Sequence, residues 1–223
     1  MPDLANVANV ILPAGANVSF AGPAVAPAVF GPVSIESLGT AGVLTIAGGT
    51  LNVASGGMAL ASLAVTGGTL NNAGTTSATT FAQSGGTFTG TGAMAFADFT
   101  QTAGATNAGG DFTVTNTYAQ TNPGIINVGG NASITNAVGP LVMGNLSATG
   151  NLSLTSLAGP ITQQAGSALI AYGTTSATAT QGGVPTGITL SNAGNDLRGL
   201  VTVSGANVAV ATSGNLAIAG TAV

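Results

Sequence analysis

The chain has 223 residues, of which 1 is Lys or Arg, 5 are Asp or Glu, and none is His or Cys. One cation cannot neutralise a phosphate backbone, which argues against a nucleic-acid partner. No apolar run reaches the 18 residues of a membrane-spanning helix, so no membrane insertion is predicted. Hydrophobic residues make up 45% and charged residues 3%, the reverse of a disordered chain. We therefore expect a packed β structure with small side chains.

The first forty residues are rich in proline. Five of the nine prolines lie here, at positions 2, 13, 23, 27 and 32. Strand-like segments nevertheless occur at residues 10–12 and 33–35. Because proline cannot donate to a β ladder, residues 1–40 are predicted to form irregular coils.

Residues 41–160 contain the main repeat. A phrase that begins Gly49-Thr50-Leu51-Asn52 recurs every 18 to 20 residues, at 68–71, 86–89, 104–107, 124–127 and 144–147. A second phrase, Phe81-Ala82-Gln83, recurs at 99–101 and 118–120. A third, at 110–115, recurs with a strict period of 20. Three strand-like phrases per repeat, separated by Gly and Asn turns, predict one coil with three short strands.

Such a coil cannot bury its own apolar side, so successive coils must stack and form a β-solenoid. Stacking places like residues over like residues. We predict one apolar column of Leu51, Leu70 and Phe88, and another of Phe81, Phe99 and Tyr118. A third column contains Asn52, Asn71, Asn107 and Asn127, with Thr89 and Ser147 at the equivalent positions. These asparagines form either a hydrogen-bonded amide ladder or ordinary surface turns.

After Pro160 the period is interrupted by an insertion near residues 171–185. Short strands are predicted to return at 187–190, 200–203, 207–210 and 215–218. No linker composition separates these parts, so residues 1–223 are predicted to form a single β-solenoid domain.

The residues that catalysis needs are scarce. Without His, Cys or Lys the chain has no triad base and no Schiff-base nucleophile. Its carboxylates are Asp3, Glu36, Asp98, Asp111 and Asp196. The nearest pair, Asp98 and Asp111, is expected at different corners of neighbouring coils, and Asp196 is expected to pair with Arg198 on the surface. We therefore predict no enzyme and no cofactor.

One segment, Gly109-Gly110-Asp111, matches part of a calcium-binding repeat of β-helices. That site needs Asp on successive turns, whereas Asn131 and Asn151 occupy the next two positions. No metal site is therefore predicted.

An outward hydroxyl array is predicted on three coils, formed by Thr113, Thr115, Ser133, Thr135, Ser153 and Thr155. Flat arrays of this kind resemble the ice-binding face of some antifreeze proteins. The alternative is that Thr is simply a good residue for an exposed strand.

From Gly42 onward the repeats resemble those of filamentous haemagglutinin-type exoproteins, the passengers of two-partner secretion, and also autotransporter stalks. The segments that carry the likeness are GGTLNVASGG, GGTLNNAG, SGGTFTGTG, AGPITQQAGSALIA and GITLSNAGNDLRGLVTVSGANVAVATSGNLAIAG. The resemblance implies a right-handed parallel β-helix that is exported through the outer membrane to the bacterial surface. The family's secretion domain is not recognisable, and there is no Arg-Gly-Asp motif.

Three functions are consistent with these features. The first is a non-catalytic stalk of a secreted surface adhesin, with neighbouring coils of the same parent protein as its partners. The second is a subunit that associates end to end into an extracellular filament, because solenoid ends are open sheet edges. The third is an ice-binding module. No host or surface ligand is predicted.

Overall fold

The computed structural model describes residues 17–20, 33–35, 38–53 and 56–222, and every regular element in these ranges is a β-strand. The irregular coils expected over residues 1–40 lie largely outside the described residues. The strands of the first half are β1 (Asn17–Phe20), β2 (Val33–Ile35), β3 (Leu38–Ile46), β4 (Thr50–Val53), β5 (Met58–Val65), β6 (Thr69–Asn72), β7 (Thr76–Gln83), β8 (Thr87–Gly90), β9 (Met94–Gln101), β10 (Ala105–Ala108), β11 (Phe112–Gln120) and β12 (Ile125–Val128). The strands of the second half are β13 (Ala132–Asn136), β14 (Leu141–Met143), β15 (Asn145–Ala148), β16 (Leu152–Ser156), β17 (Ile161–Gln163), β18 (Leu169–Ala171), β19 (Thr175–Gln181), β20 (Val184–Pro185), β21 (Gly187–Leu190), β22 (Asp196–Leu197), β23 (Val201–Val210) and β24 (Ile218–Ala222).

Apart from β20, the strands stack in parallel, each on its equivalent in a neighbouring coil. The first sheet contains 15 strands, among them all of the long ones. The second sheet contains nine short strands in the order β2-β4-β6-β8-β10-β12-β15-β18-β22. Within the second sheet Leu51 is paired with Leu70, and Leu70 with Phe88. The predicted all-β parallel solenoid is confirmed.

Between residues 58 and 120 each coil has one short and one long strand. The long strand β7 is buried at alternate positions until Thr79 and Thr80, which both point outward, and then alternates again. This step bends the strand, so that one continuous strand supplies two of the three sides of the coil. The three separate short strands that the sequence predicts appear from β12–β14 onward, where a corner at residues 137–140 divides the long strand.

The inner side of each strand forms a continuous apolar core. In the second sheet the inward column contains Leu51, Leu70, Phe88, Thr106, Ile126, Leu146 and Leu169. All seven residues are buried. Burying each large apolar side chain contributes about 1.5–3 kcal/mol, which explains why a coil without neighbours would not be stable.

The glycine that opens the repeated phrase Gly-Thr-Leu-Asn lies at the corner before the short strand. Gly68 and Gly86 have φ of 69° and 65°, in the left-handed region that favours glycine. A Cβ on Gly86 would lie 2.5 Å from the carbonyl oxygen of Gly68. Both the backbone conformation and the close stacking of coils therefore require glycine, and this requirement accounts for the repeated phrase.

The coils become longer after residue 160. Ile161 is paired with Ile188, whereas Leu141 is paired with Ile161 only twenty residues away. Part of the extra length is an antiparallel hairpin in which Gln181 of β19 pairs with Val184 of β20. The turn of this hairpin is formed by Gly182 and Gly183, which have φ of 59° and 80°.

Candidate functional site

The aromatic column is a stack of rings in the core. The rings of Phe81 and Phe99 have centroids 5.1 Å apart and an interplanar angle of 17°, and those of Phe99 and Tyr118 are 5.5 Å apart at 10°. The strand register places these three residues one over another. Phe96 and Phe112 pack against the same stack, at 5.9 Å and 5.3 Å from the Phe99 ring. The stack is a structural element that links three successive coils.

A ladder of buried glutamine amides lies beside the aromatic column. The Nε2 of Gln101 donates to Oε1 of Gln83 at 2.8 Å, and the Nε2 of Gln120 donates to Oε1 of Gln101 at 2.9 Å. All three side chains are buried. These glutamines are not among the residues whose columns were predicted from the sequence. The signal was present, because each follows an inward aromatic residue by two positions and therefore points inward as well.

The side-chain oxygens of Gln83 and Gln120, at the two ends of this ladder, also accept hydrogen bonds. Thr106 donates to Oε1 of Gln83 at 2.6 Å, and the Tyr118 hydroxyl donates to Oε1 of Gln120 at 2.6 Å. Burial raises the pKa of Tyr118 well above its usual range. Because the amides and hydroxyls bond to one another and to backbone carbonyls, this polar strip is compatible with an apolar core.

The predicted asparagine column lies on the outer side of the second sheet. Asn71 donates to Oδ1 of Asn52 at 2.8 Å, and Asn127 donates to Oδ1 of Asn107 at 2.8 Å. Thr89 lies between the two pairs and accepts from Asn107 at 3.4 Å. Shallow depressions run along this side, and one of them, lined in part by Thr89, Asn107 and Asn127, has a volume of about 470 Å³.

The corner with the calcium-like motif is held by hydrogen bonds to the backbone. Oδ1 of Asp111 accepts from the backbone N–H of Asn131 at 2.7 Å. Oδ1 of Asn131 accepts from the N–H of Asn151 at 2.9 Å, and Oδ1 of Asn151 accepts from the N–H of Thr174 at 2.8 Å. Each side-chain oxygen thus joins its coil to the next one. Within the described ranges no three His, Cys, Asp or Glu residues are grouped as metal ligands.

The carboxylates that the structure describes are dispersed, and Asp3 and Glu36 lie outside the described residues. Asp111 comes directly before Phe112, which pairs with Met94. Asp111 is therefore level with Ala93, which precedes Asp98 by five residues. Five residues of extended strand correspond to about 16 Å. A two-carboxylate glycosidase site needs a separation of about 5–10 Å, so this pair does not have that geometry. Asp98 accepts hydrogen bonds from Asn116 and Thr117 on the next coil, at 2.6 and 2.7 Å.

The single arginine belongs to an exposed cluster. Arg198 forms an ion pair with Asp196 at 2.7 Å, and this hydrogen bond raises the pKa of Arg198. The Arg198 guanidinium carbon lies 4.0 Å from the centre of the Tyr172 ring. Because the side chains of Arg198 and Asp196 are 51% and 28% exposed, solvent screens the ion pair and it adds little to stability.

The outward hydroxyl array occupies one side of the first sheet. Thr113 pairs with Ser133, and Ser133 with Ser153. The neighbouring column contains Thr135 paired with Thr155, and Thr115 follows Val114, the partner of Ile134. The structure therefore brings all six predicted residues together. Two rows that were not predicted continue the array, Ser176 with Thr178 and Thr202 with Ser204.

Comparison with known proteins gives a match to a family model over part of the chain. A family model described as "Repeats of unknown function (DUF5649)" matches residues 130–204. No curated protein and no solved structure matches the chain. The matched range covers the coils from β13 to the first half of β23 and indicates a repeat protein. In the described part of the chain no helix has the length and apolar character of a membrane span.

Proposed function

We propose that this chain is a rigid, non-catalytic rod segment of a large exported bacterial surface protein, in which it holds other parts of the protein away from the cell. The observation that carries the proposal is the unbroken stacking of coils along the axis of the solenoid. Nine strands of the second sheet follow one another without a break. At about 4.8 Å per coil they span about 40 Å.

The bonding between coils supports the same function. The glutamine ladder and the asparagine pairs connect residues 18 to 20 positions apart, and the apolar column of the second sheet has the same spacing as far as Leu146. Each coil is therefore stabilised by the coils above and below it. Stability in such repeat structures is approximately the sum of nearest-neighbour contacts, so a rod of this kind can be lengthened without redesign. The resemblance to filamentous haemagglutinin-type repeats is the support for the extracellular setting.

The modularity of the rod can be tested by duplicating one coil. Residues 131–150 form a unit whose strands are displaced by twenty residues from their partners. A Gly-Asn pair spans each boundary of this unit, at 130–131 and at 150–151. One to three extra copies should lengthen the particle by about 4.8 Å each at constant cross-section, as measured by small-angle X-ray scattering.

A half-coil insertion of residues 131–140 is the matched control, since it should shift the register and destabilise the fold. If the particle with whole extra coils becomes wider or compact instead of longer, the rod proposal is wrong. Growth of molar mass with protein concentration in the wild-type chain would instead favour the filament subunit.

A further inference from the structure

The outward side of the first sheet has an unusually regular surface between β11 and β23. Five successive rows have Ser or Thr at both outward positions, and the register aligns them in two columns. We call this surface the hydroxyl face. Its residues are Thr113, Thr115, Ser133, Thr135, Ser153, Thr155, Ser176, Thr178, Thr202 and Ser204. None of the ten is buried.

These hydroxyl groups are available to solvent. Only Thr115 makes a side-chain hydrogen bond within the described chain, a long one of 3.5 Å to the carbonyl oxygen of Phe96. Threonines at the corners behave differently, because Thr91 and Thr149 donate to backbone carbonyls of the preceding coil. The hydroxyl face therefore presents unused donors and acceptors at regular positions.

A general preference of strands for threonine does not explain this surface. On the second sheet, the same coils have Asn107, Ile125, Asn127 and Ile170 at outward positions. The third side is formed by β14, β17 and β21, and its outward residues include Val142, Thr162 and Thr189. Two aligned columns made of hydroxyl side chains alone are thus found on one side of these coils, whereas the other two sides have mixed residues.

The spacing of the face is fixed by the backbone. Rows are about 4.8 Å apart, and the two residues of a row are about 6.6 Å apart. The side chains are all of similar small size, so the face has no protruding anchor of the kind that dominates protein interfaces. None of its ten residues is ionisable, so it does not attract charged polymers. Its partner must be flat, uncharged and periodic.

We infer that the hydroxyl face binds ice. Regularly spaced hydroxyls hydrogen-bond water at fixed positions, and the methyl groups of the threonines contact the water between them. Together they hold a two-dimensional layer of water that can join the surface of an ice crystal. Because the five rows belong to one stacked sheet, the layer is ordered without any movement of the protein on binding.

The test measures thermal hysteresis and ice-crystal shaping by the full chain. Thr155 lies in the middle row of the face, and we replace it by Tyr, an aromatic residue that strands accept. Thr189 on β21 is exposed on the third side, so Thr189→Tyr is the matched control. The wild-type chain and Thr189→Tyr should shape ice and delay freezing, whereas Thr155→Tyr should lose this activity at an unchanged melting temperature.

Thr155→Val provides a second variant with a similar shape, in case the tyrosine disturbs folding. It removes one hydroxyl and should reduce the activity without abolishing it. No effect of the folded wild-type chain on ice would overturn the inference, and so would equal losses in Thr155→Tyr and Thr189→Tyr. Adsorption to microcrystalline cellulose without any effect on ice would overturn it as well, and would identify a different periodic partner.

Discussion

The side-chain amide of Gln101 donates to the side-chain oxygen of Gln83, 18 residues earlier, at 2.8 Å in the core of the solenoid. The same Gln101 accepts from Gln120 on the following coil at 2.9 Å. Hydrogen bonds between buried neutral groups each contribute about 1 kcal/mol, and a buried group left without its partner costs about 1–3 kcal/mol. Gln101 is therefore the central member of a chain of amides that joins three coils.

Replacing Gln101 by Leu should lower the free energy of unfolding by about 1–3 kcal/mol, because Gln83 and Gln120 each lose a partner. Equilibrium unfolding in denaturant measures the change. Gln181→Leu, at an exposed position of the hairpin, should change the stability by less than about 0.5 kcal/mol. Similar effects of the two substitutions would show that the ladder does not stabilise the rod.

Gly86→Ala should destabilise the fold by at least about 1–3 kcal/mol. The new Cβ would lie 2.5 Å from a backbone oxygen, and the residue would be held at positive φ, which is costly for alanine. Gly214→Ala is the control, because the space around its Cβ is open within 4 Å. Thermal unfolding of both variants, monitored by circular dichroism, makes the comparison. An unchanged melting temperature for Gly86→Ala would contradict the role assigned to the corner glycines.

Tyr118 should make stability fall at high pH. Its pKa is raised in the folded state by burial, so the folded chain keeps the phenol proton while the unfolded chain loses it above about pH 10. The protonated Tyr118 phenol contributes fully to stability below that pH. Above it, the free energy of unfolding should decrease by about 1.4 kcal/mol per pH unit.

The Tyr118→Phe variant should lack this alkaline decrease, although it also loses the hydrogen bond to Gln120. Denaturant unfolding at several pH values between 8 and about 11.5 measures both chains, in a range around the usual pKa of tyrosine. Parallel profiles for wild type and Tyr118→Phe would rule out the buried phenol as the cause.

The hydroxyl face should be extendable toward the N-terminus. The row below Thr113 has Ala95 and Ala97, and the row below that has Ser77 and Thr79. The double substitution Ala95→Thr and Ala97→Thr would join seven rows into one array, and thermal hysteresis should increase. The same number of alanine-to-threonine changes on the third side, at Ala82 and Ala119, serves as the control. A gain from the control pair equal to that from the face would argue against a specific surface.

The period of the sequence was sufficient to predict the coils, and the reason is physical. Stacking requires equivalent residues at every level, so glycine at the tight corners and a large apolar residue at most inward positions recur in the chain. Leu51, Leu70 and Phe88 lie in one buried column for this reason. The division of a coil into strands was less visible, because the bend at Thr79 and Thr80 needs no glycine or proline to mark it.

The solenoid, its parallel stacking and the apolar, aromatic and asparagine columns were predictable from the sequence, because these features follow from a repeat that every coil must satisfy. The buried polar contacts and the full extent of the hydroxyl face became visible in the tertiary structure. The glutamines became a buried ladder because the strand turns them inward, and Ser176, Thr178, Thr202 and Ser204 joined the hydroxyl face although the coils leading to them are longer. Register aligns residues by hydrogen bonding between coils, and a change in loop length conceals that alignment from a reading of the sequence alone.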